Sequence, residues 1–89
     1  MSAAMAQFYD DLGYVLRGKQ RRSVLALMDR PMVPSQIARS GYAISLNNVS
    51  RALRDMEHHG LVECVTPKKA TGRVYVLTAR GKRVRKQLG

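Results

Sequence analysis

A mostly helical domain with one small β-hairpin near its C-terminal end is the fold class this sequence predicts, on three observations. Leu46, Val49, Leu53 and Met56 recur at steps of three, four and three, which draws one apolar stripe along a helix. Beyond Gly60 the period changes to two. Residues 61–66 (LVECVT) and 74–78 (VYVLT) are apolar or β-branched runs, the pattern of paired strands. Finally, 89 residues at 45% hydrophobic content suit one small domain with one core, and argue against wholesale disorder.

Taken in order, residues 5–16 place Phe8, Leu12 and Val15 on one helical face, with Tyr9 and Leu16 beside them. Gly13 weakens this helix somewhat. A second helix is expected from about Gly18 to Asp29, with Gln20, Val24, Leu27 and Met28 inward. Pro31 ends it, because the residue before a proline resists the helical conformation. Residues 34–40 form a short third helix with Ile37 and Ala38 inward. Pro34 stands in its first turn, where a missing N–H costs nothing. Gly41 closes it, and residues 42–44 turn into the central helix.

The central helix starts after Ser45, whose hydroxyl can accept a free first-turn N–H, and stops at Gly60, a residue suited to a left-handed cap. Residues 34–59 are thus a helix-turn-helix. Residues 61–78 form a hairpin, with 67–73 too long for a tight turn and therefore an exposed loop. A basic helix over 79–88, with Val84 and Leu88 inward, closes the chain. Helix, helix, helix-turn-helix, hairpin with a basic tip and helix is the order of a winged helix-turn-helix, and all of 1–89 is read as that one domain.

The formal charge is +10, and it is unevenly spread. Residues 1–16 hold two acids and no base, 17–66 hold eight bases and four acids, and 67–89 hold eight bases and no acid. A polyanionic partner is expected, with nucleic acid the commonest. No segment reaches membrane-spanning length and no signal-peptide pattern opens the sequence, so no membrane partner is expected. Cys64 is the one cysteine and reads as a small buried hydrophobe in a reducing compartment. A cytoplasmic, nucleoid-associated protein is expected.

With successive side chains about 100° apart, Asn47, Arg51, Arg54 and His58 project opposite the central stripe, and Asn48 and Ser50 lie on its shoulders. Such amide, hydroxyl and guanidinium groups pair with base edges in a major groove. Lys19, Arg21 and Arg22 open the second helix, where free N–H groups and the dipole favour a phosphate. The tail bases Arg80, Lys82, Arg83, Arg85 and Lys86 are expected to add a diffuse positive field. Catalysis finds no support. Six acids are scattered, His58 and His59 diverge on a helix, and no glycine-rich phosphate loop is present. No enzyme, cofactor, metal or small-molecule ligand is expected.

Residues 14–25 (YVLRGKQRRSVL), 34–38 (PSQIA), 49–54 (VSRALR), 60–62 (GLV) and 73–81 (RVYVLTARG) are similar to small archaeal winged helix-turn-helix transcriptional regulators of the broad MarR- and ArsR-like group. The resemblance runs from about Tyr9 to Leu88. It implies that the central helix enters the major groove, with Asn47, Asn48, Ser50, Arg51 and Arg54 as the groove-facing set. It also implies that the wing, through Lys68, Lys69 and Arg73, lies on the backbone or in a minor groove. The chain departs from many relatives at Val33, where a Thr or Ser would cap the third helix.

A sequence-specific regulator of double-stranded DNA is the leading expectation. A non-specific architectural or RNA-binding winged helix, which uses charge alone, is the alternative, and a protein-interaction winged helix is a third. A homodimer through the N-terminal helix is also expected. Phe8, Tyr9, Leu12, Val15 and Leu16 exceed what one capping helix needs, and the acids Asp10 and Asp11 are placed near a symmetry axis away from DNA.

Overall fold

The structure is a computed structural model that describes residues 2–41 and 44–88. Its elements are α1 (Ala3–Leu16), α2 (Lys19–Leu27), α3 (Pro34–Ser40), α4 (Leu46–His59), β1 (Val62–Cys64), β2 (Tyr75–Leu77) and α5 (Ala79–Leu88). This is a mostly helical winged helix-turn-helix with a two-stranded antiparallel hairpin. Tyr42 and Ala43, in the predicted turn between α3 and α4, lie outside the described residues.

The α4 stripe is what the core is built on. Val49, Ala52, Leu53 and Met56 are all buried, and α4 packs on α2, α3 and β1. Ser45 Oγ accepts the Asn48 N–H at 3.1 Å. Gly60 takes φ 87°, a left-handed conformation that favours glycine. Losing a cap typically costs about 1 kcal/mol, whereas truncating a buried Leu or Met costs about 2–5 kcal/mol. Burial of the stripe therefore holds α4, and the caps set where it starts and stops. Leu46 departs from expectation. It is 50% exposed, because it stands at the first position of α4, short of the first buried side chain, Val49.

Other boundaries shift for local reasons. The N-terminal helix begins at Ala3 rather than residue 5, because Ser2 caps it by accepting the Met5 N–H at 3.1 Å. Helix α2 stops at Leu27, with Val24 and Leu25 buried and Gln20 exposed, and Met28, its C-cap, is buried just beyond it. The buried face of α2 is therefore rotated toward Leu25, about 140° from Gln20 around the helix. At α3 the missing hydroxyl of Val33 is offset from the other side, since Gln36 Oε1 accepts the Val33 N–H at 2.8 Å. That is one half of a capping box.

The strands pair with Val62 opposite Leu77, Glu63 opposite Val76 and Cys64 opposite Tyr75. Met32 adds a one-residue bridge to the far side of β2, exchanging bonds of 3.0 and 2.8 Å with Tyr75. Thr78 joins the hairpin to α5. Its hydroxyl donates to the Gly60 carbonyl at 2.7 Å and accepts the Gly81 N–H at 3.1 Å. A Cβ on Gly81 would overlap the Leu61 carbonyl, so this contact requires glycine.

One buried charge ties the ends of the chain together. Asp11, expected near a dimer axis away from DNA, is 1% exposed within its own monomer. Arg80, expected in a diffuse field, donates from Nε and Nη2 to its two carboxylate oxygens at 2.9 and 2.7 Å. Arg80 Nη2 also donates to the His59 carbonyl at 2.9 Å, and Gln7 Nε2 donates to Asp11 Oδ1 at 3.0 Å. One guanidinium therefore links α1, the end of α4 and α5. Burial alone would raise the Asp11 carboxyl, but the hydrogen bonds from Arg80 and Gln7, with the charges of Arg80 and His59, outweigh it and hold it below the usual aspartate value.

Asp11→Ala should leave that guanidinium unpaired. Breaking a buried pair typically costs about 3–5 kcal/mol, and the 35% exposure of the Arg80 side chain reduces the expectation to about 2–3 kcal/mol. The folded carboxyl lies below its unfolded value, so its contribution is full above that value and fades as pH falls through the lower, folded one. Denaturant unfolding at about pH 7 and about pH 3 checks this, with wild type losing more stability on acidification than Asp11→Ala. Equal losses in the two proteins would remove Asp11 from the account.

Candidate nucleic-acid interface

Because one side of α4 is fixed in the core, the opposite side is presented to solvent. Asn47, Arg51 and Arg54 are exposed, and Asn48 and Ser50 are half-buried on the shoulders. These side chains share the first two turns and a half of one helix, as the predicted groove-facing set requires. The acids of α4, Asp55 and Glu57, come only in its later turns. The N-terminal half of the face is therefore the cationic, amide-bearing half.

The hairpin loop stands across a cleft from this face. The cleft, of about 430 Å³, is lined on one side by Leu46, Ser50 and Arg54 and on the other by residues 70–73. Val33, Pro34, Ser35 and Tyr75 complete its lining, and no acid is among the residues that line it. Leu46, Ser50 and Arg54 are spaced four apart, so they form a single ridge along α4. Helix face and wing thus form two walls of one concave surface with an apolar interior and a basic rim.

The three predicted wing cations differ in role. Lys68 and Lys69 are exposed. Arg73 is half-buried and turned back on its own loop, donating from Nε to the Lys69 carbonyl at 2.7 Å and from Nη2 to the Pro67 carbonyl at 3.2 Å. It holds the shape of the loop that carries the lysines. Likewise, of the three bases at the start of α2, Lys19 and Arg22 are exposed. Arg21 is directed inward, with Nε and Nη2 donating to the Tyr14 carbonyl at 3.0 and 2.6 Å. Its guanidinium also lies 4.0 Å over the Tyr14 ring. Arg85 of α5 binds the Ala26 carbonyl in the same way, at 3.2 and 3.0 Å. Three arginines whose charge alone suggested a polyanion are therefore first of all clamps on backbone carbonyls.

Asp10, Asp11 and His59 bring donor atoms within 4.8 Å of one another, a grouping that adjacency of His58 and His59 did not suggest. Both Asp11 oxygens already receive Arg80, so the guanidinium stands where a metal ion would have to sit. The imidazole itself is stacked on Tyr14, with centroids 3.9 Å apart and planes 6° from parallel. The cluster reads as a structural junction. Cys64 is buried, as a small apolar side chain would be. No helix among the described residues is long and apolar enough to cross a membrane.

The cleft residues Leu46, Ser35 and Thr71 were absent from the predicted set. Ser35 and Thr71 carried no separate signal, since their place depends on how close the wing stands to α3. For a duplex ligand, replacing Lys68 and Lys69 together with alanine should flatten the salt dependence of log K by about two, since each phosphate contact contributes roughly −0.9. Filter binding across a salt series measures it. An unchanged slope would mean that the wing lysines do not meet the backbone.

No protein-family model and no curated protein matches this chain. Among solved structures it is similar to "a possible HxlR family transcriptional factor" from Thermoplasma volcanium, at 25% identity with a TM-score of 0.71. The match covers 86% of this chain and 71% of the other. The neighbour carries the name HxlR, so the match does not single out the MarR- or ArsR-like group.

Proposed function

We propose that this protein is a transcriptional regulator that binds double-stranded DNA sequence-specifically, with α4 in the major groove and the wing on the backbone or in a minor groove. One observation carries the reading. Asn47, Arg51 and Arg54 lie exposed on the solvent side of a helix whose other side is locked into the core, and Ser50 and Arg54 face the wing loop that carries Lys68 and Lys69 across a cleft. Such a surface can put bidentate donors against base edges while separate cations neutralise phosphate. The transcription-factor label of the Thermoplasma neighbour supports it. No catalytic step, cofactor or small-molecule ligand is part of the reading, and the protein would act in the cytoplasm on the nucleoid.

Selection from random duplexes followed by sequencing is expected to return a defined motif. On that motif, Arg51→Ala and Arg54→Ala should narrow the gap between target and random DNA, each by about 1–3 kcal/mol. Equal weakening on both duplexes, or a selection with no motif, would favour a non-specific architectural or RNA-binding protein instead.

The same regulator is proposed to be a homodimer through α1. Within the monomer, Val15 is buried and Phe8 and Leu12 are half-buried, so part of the predicted surplus is used internally. Met5, Tyr9 and Leu16 remain 50%, 53% and 47% exposed. With Leu12 they form a ridge at steps of four, three and four, the seam spacing by which one helix meets another. A second copy of α1 fits that seam, and two-fold pairing implies inverted half-sites about 34–36 Å apart. Sedimentation equilibrium at tens of micromolar should show a wild-type dimer and, for Tyr9→Asp/Leu16→Asp, a folded monomer. A monomeric wild type, with or without DNA, ends the dimer reading.

A further inference from the structure

An exposed leucine is ordinary on a protein surface, but the position of Leu46 is not. It is the first residue of α4 and half exposed, although its helical spacing from Val49 and Leu53 marks it as a core position. It lines the cleft beside the wing, on one ridge with Ser50 and Arg54, and shares that cleft with Pro34 and Tyr75. No acid lines this cleft, and Arg54 and Arg73 do, so the ligand the charges favour is a polyanion. The leucine adds a second requirement, since that polyanion must offer an apolar group.

On the major-groove edge of a duplex, one base carries such a group, the C5-methyl of thymine. A helix that enters the groove by its N-terminal residues brings its first turn closest to the base edges. Asn47, next in the chain and exposed, can pair bidentately with adenine. Asn47 projects about 100° from Leu46 around the helix, so the two side chains address separate base pairs, Asn47 an N6/N7 edge and Leu46 a methyl group. We propose that Leu46 is a specificity-determining residue that reads a thymine methyl, so that the target contains a thymine whose methyl seats against it. This rests on the sequence-specific DNA reading above.

The probe is the duplex recovered by selection, with each thymine replaced in turn by deoxyuridine, which removes only the methyl. Burial of one methyl-sized group contributes about 0.8 kcal/mol, or about fourfold in affinity. Wild type should therefore lose about fourfold at one thymine, or at its symmetry-related pair in a dimer, and little elsewhere. Leu46→Ala should bind the thymine and uracil versions of that position equally, while keeping the folded state and binding the uracil version about as well as wild type does. The proposal is overturned if wild type prefers its motif yet no uracil replacement weakens it. It is equally overturned if Leu46→Ala still distinguishes thymine from uracil at the sensitive position. A wild type that prefers no duplex sinks the sequence-specific reading, and this proposal with it.

Discussion

The pairing of Asp11 with Arg80 is the constraint that sets α1, α5 and the end of α4 against one another. A carboxylate that is 1% exposed cannot stay ionised in a protein interior without partners. Here it receives Arg80 through two hydrogen bonds and Gln7 through a third, and His59 Nε2 stands 3.3 Å away. Such pairs add little net stability over well-packed apolar groups, yet they tolerate few alternative geometries. With α1 and α5 at opposite ends of the sequence, this pair fixes where the chain's two ends meet. The His59 carbonyl, which accepts from the same guanidinium, places the last residue of α4 against both.

The consequence for the binding face is mechanical. Helix α4 is held at its C-terminal end by the ion-pair junction and by the left-handed turn at Gly60, and along its length by Val49, Leu53 and Met56 in the core. Its N-terminal half is capped by Ser45 and anchored by Val49 and Ala52, which leaves Asn47, Arg51 and Arg54 exposed on a fixed frame. The wing is braced separately. Arg73 fastens the loop to its own carbonyls, and the Val74 N–H donates to Thr66 Oγ1 at 2.9 Å. The exposed Lys68 and Lys69 are thus carried by a shaped loop rather than a loose one, and on the proposed function this lowers the entropy lost on binding.

Much of the fold was legible because it rests on local patterns. The stripe of α4, its cap at Ser45, its stop at Gly60 and the change of period beyond it are all short-range signals. What escaped was non-local. Asp11 and Arg80 are 69 positions apart, and nothing in their flanks marks them as partners. The Met32 bridge to Tyr75 is a single residue pair, too short for alternation, and lies beside Pro31. Charge counting read Arg21, Arg73 and Arg85 as free cations, although a guanidinium satisfies a backbone carbonyl as readily as a phosphate. Periodicity also assigned Leu46 to the core, since it gives a direction around the helix but not where the neighbouring element ends.

Duplex contact with the outward face of α4 can be observed residue by residue in an amide-resolved NMR titration with the selected duplex. Shifts should concentrate at Asn47, Ser50, Arg51 and Arg54 and in the loop 67–73, leaving the outer side of α1 quiet. Perturbation centred instead on Lys82, Arg83 and Lys86 of α5, or on Lys19 and Arg22 of α2, with α4 unmoved, would contradict the assignment of α4 as the recognition element.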